Sequence, residues 1–156
     1  MGCSAAVLVH DAHLIGWQIS CDTRGVPTVL DNRPVTAQAI DMVEQGLEWA
    51  NAEAFASVLG LTLDTVAALL DIPPATFYRR KKAGRFSKQE SDHLMRFVRL
   101  WWLARDVFES EQGARTWLKS PQFGLRGAVP LMYATTEVGA HEVEELLHRI
   151  DAGVLV

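Results

Sequence analysis

Six positively charged side chains fall within ten consecutive residues, and binding to phosphates or to bases is the chemistry that such a cluster can perform. The run RRKKAGRFSK occupies residues 79–88 and contains no acidic residue. Arginine presents a planar fork of donors that fits the acceptors of guanine, whereas lysine is a point charge suited to phosphate. We therefore expect Arg79 or Arg80 to contact a base. The cations expected to contact flanking phosphates are Lys81, Lys82, Arg85 and Lys88.

The rest of the chain has the opposite charge. The formal net charge is −4, but outside residues 79–88 the chain carries 9 basic and 19 acidic side chains. An acidic protein with one basic patch can bind a polyanion locally while the remainder of its surface is repelled from it. On composition alone, a solvated helix face is the commoner explanation of such a run. Its position in the fold must therefore decide between a solvated face and a polyanion-binding surface.

The basic run coincides with the second helix of a predicted helix-turn-helix over residues 62–84. This motif needs a small residue where its helices cross, a sharp turn four residues later and an apolar residue that packs back. Ala67, Asp71 and Phe77 stand at those positions. Asp is among the few residues that tolerate left-handed backbone angles. Pro73 replaces the usual Ser or Thr N-cap, so the second helix starts without a side-chain cap.

The second helix of such a motif lies in the major groove with its N-terminal residues near the base edges. Thr76 would then reach a base or a phosphate, and the Tyr78 hydroxyl would donate to a phosphate. Together with the six cations, these residues predict operator DNA as a partner. The alternative is a three-helix core whose basic face is only solvated.

The pattern predicts an all-α protein from about residue 36 onward. Residues 1–35 show no sustained period and are interpreted as a poorly defined arm with an extended piece near residues 26–30. After Thr36, a plausible N-cap, apolar residues recur at helical spacing. These residues are Ile40, Val43 and Leu47. A second short helix over the following residues is expected to stop at Gly60.

The longest helix is predicted over residues 88–109, where Ser87 and Glu90 form an S-x-x-E capping box. Its apolar face is so broad that we expect burial on more than one side and a homodimer in which part of it lies between subunits. The tryptophans at 101, 102 and 117 are then interface anchors or, more commonly, core residues. Shorter helices follow over residues 111–119 and from Thr135 or Thr136 onward.

The final helix carries a second candidate site. Residues 136–156 contain five acidic side chains against a single Arg149, so this surface should avoid DNA and favour a basic partner. Gly153 is placed to end the helix. It leaves an apolar tail of Val154, Leu155 and Val156. For any one of these acids, an ordinary solvated helix face is an equally good interpretation.

Other features exclude several classes of protein. An apolar fraction of 49% indicates a folded chain, but no stretch reaches the roughly 18 unbroken apolar residues of a membrane span. The N-terminus has no basic region typical of a secretory signal, and Cys3 and Cys21 are too few for a disulfide framework or metal cluster. His141, Glu145 and His148 share a helix face, but an H-E-x-x-H pattern fails because residue 145 is Glu. No phosphate loop or activated nucleophile is present, so we expect no enzyme activity, cofactor or metal.

Three segments carry a resemblance to a known family. FYRR at residues 77–80 precedes GRFSKQESDHLMRFVRL, and VPLMYATTEVGAHEVEELLHRIDAGV occupies residues 129–154. Together they resemble an Xre/MbcA/ParS-type antitoxin of bacterial type II toxin–antitoxin systems. The resemblance covers about residues 40–156. Its more specific signs are the ESD triplet, the T-E-x-G step at 136–139 and the L-L-x-R-I segment at 146–150.

This resemblance implies an Xre-like helix-turn-helix bundle fused to a small helical toxin-binding domain, in the bacterial cytoplasm. We expect an arm over 1–35, a DNA-binding domain over 36–86 and a toxin-binding domain over 87–156. The usual partner is a RES-domain toxin that acts on NAD. The antitoxin blocks that toxin's active-site entrance with its C-terminal end and represses its own operon. The residues expected to contact the toxin are Glu137, Glu145, Arg149, Asp151, Gly153, Val154, Leu155 and Val156.

Two other classes stay open. One is a stand-alone transcription regulator whose C-terminal half binds a ligand or only dimerises. The other is an adaptor whose helix-turn-helix no longer contacts DNA. A neighbouring gene for a RES-type toxin favours the antitoxin over the regulator, and a flat salt dependence of DNA binding favours the adaptor.

Overall fold

The computed structural model describes residues 28–154, and this part of the chain is helical without a named strand. The elements are α1 (Thr36–Gln45), α2 (Trp49–Leu59), α3 (Leu63–Leu69), α4 (Pro74–Ala83), α5 (Lys88–Phe108), α6 (Glu111–Lys119), a 3₁₀ helix (Phe123–Leu125), α7 (Pro130–Tyr133) and α8 (Glu137–Asp151). The predicted all-α fold is confirmed. Predictions for the two cysteines, most of the arm, Leu155 and Val156 lie outside the described residues.

Within residues 28–154, no single helix is both long and apolar enough to cross a membrane. The helices α2 and α3 meet that length and composition test only as a pair, and they are bent by 106° at their junction. Both contribute buried side chains to the protein core. These include Phe55 and Leu59 of α2 and Val66 of α3.

The helices α3 and α4 form the predicted helix-turn-helix. Thr62 caps α3, because its side-chain oxygen accepts a hydrogen bond from the Thr65 N–H at 3.1 Å. Ala67 and Phe77 are almost completely buried at the crossing of the two helices. Asp71 has φ +54°, the left-handed angle that the turn requires. The N-cap of α4 is Pro73, which makes no side-chain cap hydrogen bond, as expected from the sequence.

The connection between α1 and α2 holds the end of the helix-turn-helix in place. Helical spacing predicted that Leu47 continues the first helix, but α1 ends at Gln45 and Leu47 lies in the connection. There its carbonyl accepts from the Phe86 N–H at 2.9 Å, and the Trp49 N–H donates to the Gly84 carbonyl at 2.9 Å. A side chain at position 46 has no room in this connection, because its Cβ would lie 2.4 Å from the Phe86 carbonyl oxygen.

The long helix α5 is the centre of the protein. Ser87 and Glu90 form the predicted capping box, in which the Ser87 N–H donates to a Glu90 carboxylate oxygen at 2.7 Å. The helix packs against α1, α6 and α8 of the same chain. Trp101 and Trp102 are buried there, with 1% and 8% of their surfaces exposed. The broad apolar face of α5 is therefore covered by helices of the same chain. It does not by itself require a second subunit.

The residues just before α1 are part of the core, although the sequence suggested only the end of an arm. Val29 and Leu30 are buried. The Trp102 indole N–H donates to the Val29 carbonyl at 3.0 Å, and the Val29 N–H donates to the Asn51 side chain at 2.9 Å. Residues 28–31 form a turn, so the described part of the predicted extended piece is wrong. Asn51 and Trp102, which lie 22 and 73 residues from Val29 in the sequence, stabilise this conformation through these hydrogen bonds.

The last helix, α8, has the predicted boundaries. The Thr136 hydroxyl accepts from the Gly139 N–H at 3.1 Å and caps the helix. At the other end Gly153 has φ +70°, and the Val154 N–H reaches back to the Arg149 carbonyl at 2.9 Å. This pattern is the Schellman arrangement that a glycine after a helix permits.

We predict that Gly139→Ala destabilises the protein, although alanine ordinarily stabilises a helix relative to glycine. A Cβ at this position would lie 1.9 Å from the Tyr133 carbonyl oxygen, which is backbone and cannot rotate away. We expect urea denaturation to show a loss of about 1–3 kcal/mol in the free energy of unfolding. Glu145→Ala, at an exposed position of the same helix, should change it by less than about 0.5 kcal/mol. Equal stability of the two variants would contradict this packing.

Candidate nucleic-acid and partner-binding surfaces

The outward face of α4 is defined by the buried ring of Phe77. This ring packs edge-on against Trp49, with centroids 4.7 Å apart, and Phe86 stacks on the same indole at 5.5 Å. With about 100° of rotation per residue, Arg79 and Lys82 lie on the side of α4 opposite Phe77. Both are exposed, and neither forms an ion pair within the part of the chain that the structure describes.

Arg80, which the sequence suggested as a base-reading residue, lies beside Phe77 and faces the protein. Its Nε is 2.8 and 3.1 Å from the two oxygens of Glu90. The side chains of Arg80 and Glu90 are 29% and 13% exposed. The guanidinium therefore holds the C-terminal part of α4 against the first turn of α5.

Three further cations of the basic run are paired with carboxylates of α1, of the N-cap residue before α2, or of α2 itself. Lys81 lies 3.8 Å from Glu53 and 5.9 Å from the centre of the Trp49 ring. Arg85 binds a Glu48 oxygen at 2.9 Å, and Lys88 pairs with Glu44. Four of the six cations thus have intramolecular acidic partners, which leaves Arg79 and Lys82 as the pair that faces outward on α4.

Tyr78 and Thr76 differ in their availability to a ligand. The Tyr78 hydroxyl donates to an Asp64 oxygen at 2.9 Å, and this hydrogen bond is the main reason that the pKa of the phenol is raised. A phosphate would have to replace Asp64 as its acceptor. Thr76 is half-buried in the first turn of α4, at the end of the helix that a base edge would approach.

The start of α8 is tied to α5 by an ion network. Arg96 is almost buried, and it donates to a Glu137 oxygen at 2.8 Å and to the Thr135 carbonyl at 3.0 Å. Arg99 donates to Glu144 at 2.6 Å and lies 3.5 Å from Glu137. Glu137 was expected at a partner surface, but the structure engages it with two arginines of its own chain.

The exposed ridge of α8 contains two of the other residues expected to bind a partner, Glu145 and Arg149. We define this ridge by Val138, Glu142, Glu145 and Arg149, which recur at helical spacing on one face and are exposed. Val138 is 75% exposed. It was not predicted as a surface residue of this site, because a single valine in a helix gives no distinct sequence signal. Tyr133 of α7 donates its hydroxyl to Glu142 at 2.6 Å.

The segment after α8 continues this surface. Asp151 and Gly153 are exposed, and Val154 is 52% exposed. Leu155 and Val156 lie outside the described residues. Two further apolar side chains of the C-terminal half are solvent-exposed and were not singled out by sequence, namely Phe123 at 89% and Met132 at 60%.

No group of three or more His, Cys, Asp or Glu residues within residues 28–154 is arranged to hold a metal ion. His141 and His148 are exposed on α8.

Two family models match consecutive parts of the chain. Residues 38–99 match the antitoxin Xre-like helix-turn-helix domain, and residues 103–153 match the antitoxin Xre/MbcA/ParS C-terminal toxin-binding domain. The chain belongs to the Xre-type antitoxin family. The two matched regions of this Xre-type chain meet within α5, and the predicted division into 36–86 and 87–156 stays a prediction.

Three curated relatives of the chain are each named "Antitoxin Xre". The protein from Yersinia enterocolitica is 42% identical over 77 residues, which are 49% of this chain and 52% of the relative. The protein from Photorhabdus laumondii is 37% identical over 46% of this chain and 49% of the relative. The Pseudomonas putida protein is 36% identical over 41% of this chain and 40% of the relative. The chain thus spans about half the length of the curated relatives that it matches, or somewhat less.

We predict a pH-dependent loss of stability for Glu90→Gln. Burial alone would raise the pKa of Glu90, but hydrogen bonds from the Ser87 N–H and from Arg80 outweigh burial and lower it. The charged form is therefore favoured on folding. Its contribution is complete above the unfolded-state pKa of about 4.3 and is lost as the pH falls through the lower folded-state pKa.

Urea denaturation should show Glu90→Gln to be less stable by about 1–2 kcal/mol at pH 7. The difference from the unsubstituted protein should shrink steadily below about pH 4. Glu145→Gln, at an exposed position of α8, serves as the control and should show little difference at either pH. A pH-independent effect of Glu90→Gln would mean that its charge does not hold the helices together.

Proposed function

We propose that this Xre-type protein binds operator DNA through α4 and neutralises a cognate toxin through its C-terminal surface, without enzymatic activity of its own. One observation carries the proposal. A correctly formed helix-turn-helix presents two unpaired cations outward, while an acidic ridge lies on a separate helix in the region matched by a toxin-binding domain. We place its action in the bacterial cytoplasm, where an operator and a toxin are both accessible.

On the DNA side, Arg79 and Lys82 take different roles. Arg79 lies about one turn after the half-buried Thr76, in the middle of α4, and its planar guanidinium suits a guanine edge. Lys82 lies a further turn along the same face and suits a phosphate. Of the four paired cations, Arg80 and Lys81 lie on α4 and hold it against neighbouring helices. Each of the four is paired with a carboxylate and therefore contributes less net positive charge towards a duplex.

We predict that Lys82→Ala weakens DNA binding more than Lys88→Ala does. Lys82 has no acidic partner among the described residues, whereas Lys88 is paired with Glu44. Fluorescence anisotropy with a duplex from the promoter region of this gene should be measured across a series of KCl concentrations. Lys82→Ala should reduce the log–log salt slope by about 0.9, the loss of one neutralised phosphate.

Arg79→Ala should cost about 1–3 kcal/mol against the operator and less against unrelated DNA, as expected for a base contact. Lys88→Ala is the matched control in the same basic run. Equal slopes for all three variants and the unsubstituted protein would contradict this assignment. Affinity with no salt dependence at all would favour the adaptor alternative.

On the partner side, the exposed ridge of α8 and the segment from Gly153 onward form the proposed toxin-binding surface. The acids of the ridge would speed the encounter with a basic enzyme cleft. Val154 and the residues after it would then fill an apolar pocket at the entrance of that cleft. The toxin we propose is a RES-domain protein that consumes NAD, and blocking its active-site entrance is the proposed mode of neutralisation.

We predict that Glu145→Arg weakens toxin neutralisation and that Asp41→Arg, with the same change of charge on α1, does not. Both positions are exposed in the structure. Each variant should be co-expressed with the product of the adjacent toxin gene, and growth rescue and co-purification should be measured. Reversal of one ridge charge should slow association about tenfold or less, so titrated expression is needed to resolve it.

Truncation after Ala152 tests the terminal segment separately. This variant should lose growth rescue and keep its operator affinity. Full rescue by both the truncated protein and Glu145→Arg would refute the proposed surface. A third outcome is that no toxin co-purifies with the unsubstituted protein and that no variant changes growth rescue. The stand-alone regulator would then be the better description.

A further inference from the structure

An open groove between α1 and α5 lies outside the surfaces described so far. It encloses about 440 Å³ and extends along α5 from Trp102 to Lys88. A helix rises about 1.5 Å per residue, so the groove is about 20 Å long. Its floor is apolar and is formed by Ala39, Ile40, Val43, Met95, Val98 and Trp102.

The helix on one side of this groove lacks cover. No residue of α1 is buried, and 57% of the surface of Ile40 is exposed. A helix of ten residues is marginal in water on its own, and its stability comes from packing of an apolar face. Within residues 28–154, that packing comes from α5 alone, which leaves Ile40 on the groove side without a neighbour that excludes water.

The charged side chains around the floor indicate what kind of occupant fits. Three cations of the rim form ion pairs with carboxylates of the same chain, namely Arg33 with Asp106, Lys88 with Glu44 and Arg99 with Glu144. The rim therefore offers little unbalanced charge. A charged side chain buried on the apolar floor would lose its hydration without gaining a partner. The groove fits an apolar segment without charges.

The N-terminal part of the chain joins the fold at one end of this groove. The Val29 carbonyl accepts from the indole N–H of Trp102 at 3.0 Å, and Arg33 and Pro34 line the groove. Residues 1–27 are therefore tethered beside the floor. A segment on a short tether acts at an effective concentration on the order of millimolar, so even a weak apolar contact is populated.

The sequence of this tethered part contains a segment of the required chemistry. Residues 12–21 read AHLIGWQISC and include no Asp, Glu, Lys or Arg. Their large apolar side chains are Leu14, Ile15, Trp17 and Ile19. We infer that residues 14–19 of the same chain occupy the groove and cover Ile40. An extended chain advances about 3.3 Å per residue, so these six residues are about as long as the groove.

This contact gives the N-terminal segment a structural role beside the helix-turn-helix. Glu44 of α1 pairs with Lys88 of the basic run, so cover over α1 also steadies that pair. The inference does not depend on the proposed binding of DNA or of a toxin, because its test measures only the accessibility of one side chain.

The test is the alkylation rate of a single thiol in the groove. Cys3 and Cys21, the two cysteines of the sequence, are replaced by Ser, and Ile40→Cys places a thiol on the floor. In the full chain, N-ethylmaleimide should react with this thiol about tenfold more slowly than in a chain lacking residues 1–27. Asp41→Cys, at an exposed position outside the groove lining, is the matched control and should react equally fast in both chains.

A second variant tests the assignment without shortening the chain. Trp17→Glu places a charge in the segment that covers the floor, and it should raise the alkylation rate of the Ile40→Cys thiol to that of the shortened chain. Leu8→Glu makes the same change outside residues 14–19 and should leave the thiol protected. Circular dichroism shows whether each chain is folded during labelling. If the shortened chain is unfolded, Trp17→Glu decides.

Three outcomes would overturn the inference. The first is an equal alkylation rate in the folded full and shortened chains, and the second is protection that Trp17→Glu leaves intact. The third is protection that increases with protein concentration, because it would indicate a second molecule in the groove. Loss of protection in Leu8→Glu alone would contradict the assignment to residues 14–19.

Discussion

The carboxylate of Glu90 joins the recognition helix to the long helix behind it, and the geometry of the DNA-binding face depends on this joint. It accepts one hydrogen bond from the Ser87 N–H and two from Arg80. A single, largely buried side chain therefore caps α5 and sets the position of α4. Separating the two partners of such a pair would leave a desolvated charge unsatisfied. This energetic cost keeps α4 in place against α5.

The same long helix organises the opposite end of the protein. Two turns after its start, Arg96 and Arg99 bind the first part of α8 through Glu137 and Glu144. With 21 residues, α5 is about 30 Å long. It places the helix-turn-helix and the acidic ridge on one continuous support. The two family domains that the chain matches meet within this helix, so neither surface is carried by an independent body linked through a flexible connection.

Charge is distributed so that an acidic protein can present a selective basic surface. Carboxylates of α1, α2 and α5 neutralise most of the basic run and leave its outward pair, Arg79 and Lys82, available. The positive electrostatic potential that a duplex would meet is then confined to one face of α4, while α8 presents mainly acidic side chains. Because exposed charges are screened beyond about 10 Å at moderate salt, the charges of the two surfaces influence each other little.

The sequence by itself determined the features whose causes are local. Asp71 at the turn, the Ser87 capping box and Gly153 after the last helix follow from the backbone angles and hydrogen bonds of a few neighbouring residues, and the helices they delimit were predicted correctly. Tertiary structure alone decided which charged groups are free. Arg80 and Glu137 look like surface ligands in the sequence, but partners 10 and 41 residues away engage them. Separation along the sequence does not indicate which charged residues pair. These ion pairs form only because α4 and α8 pack against α5.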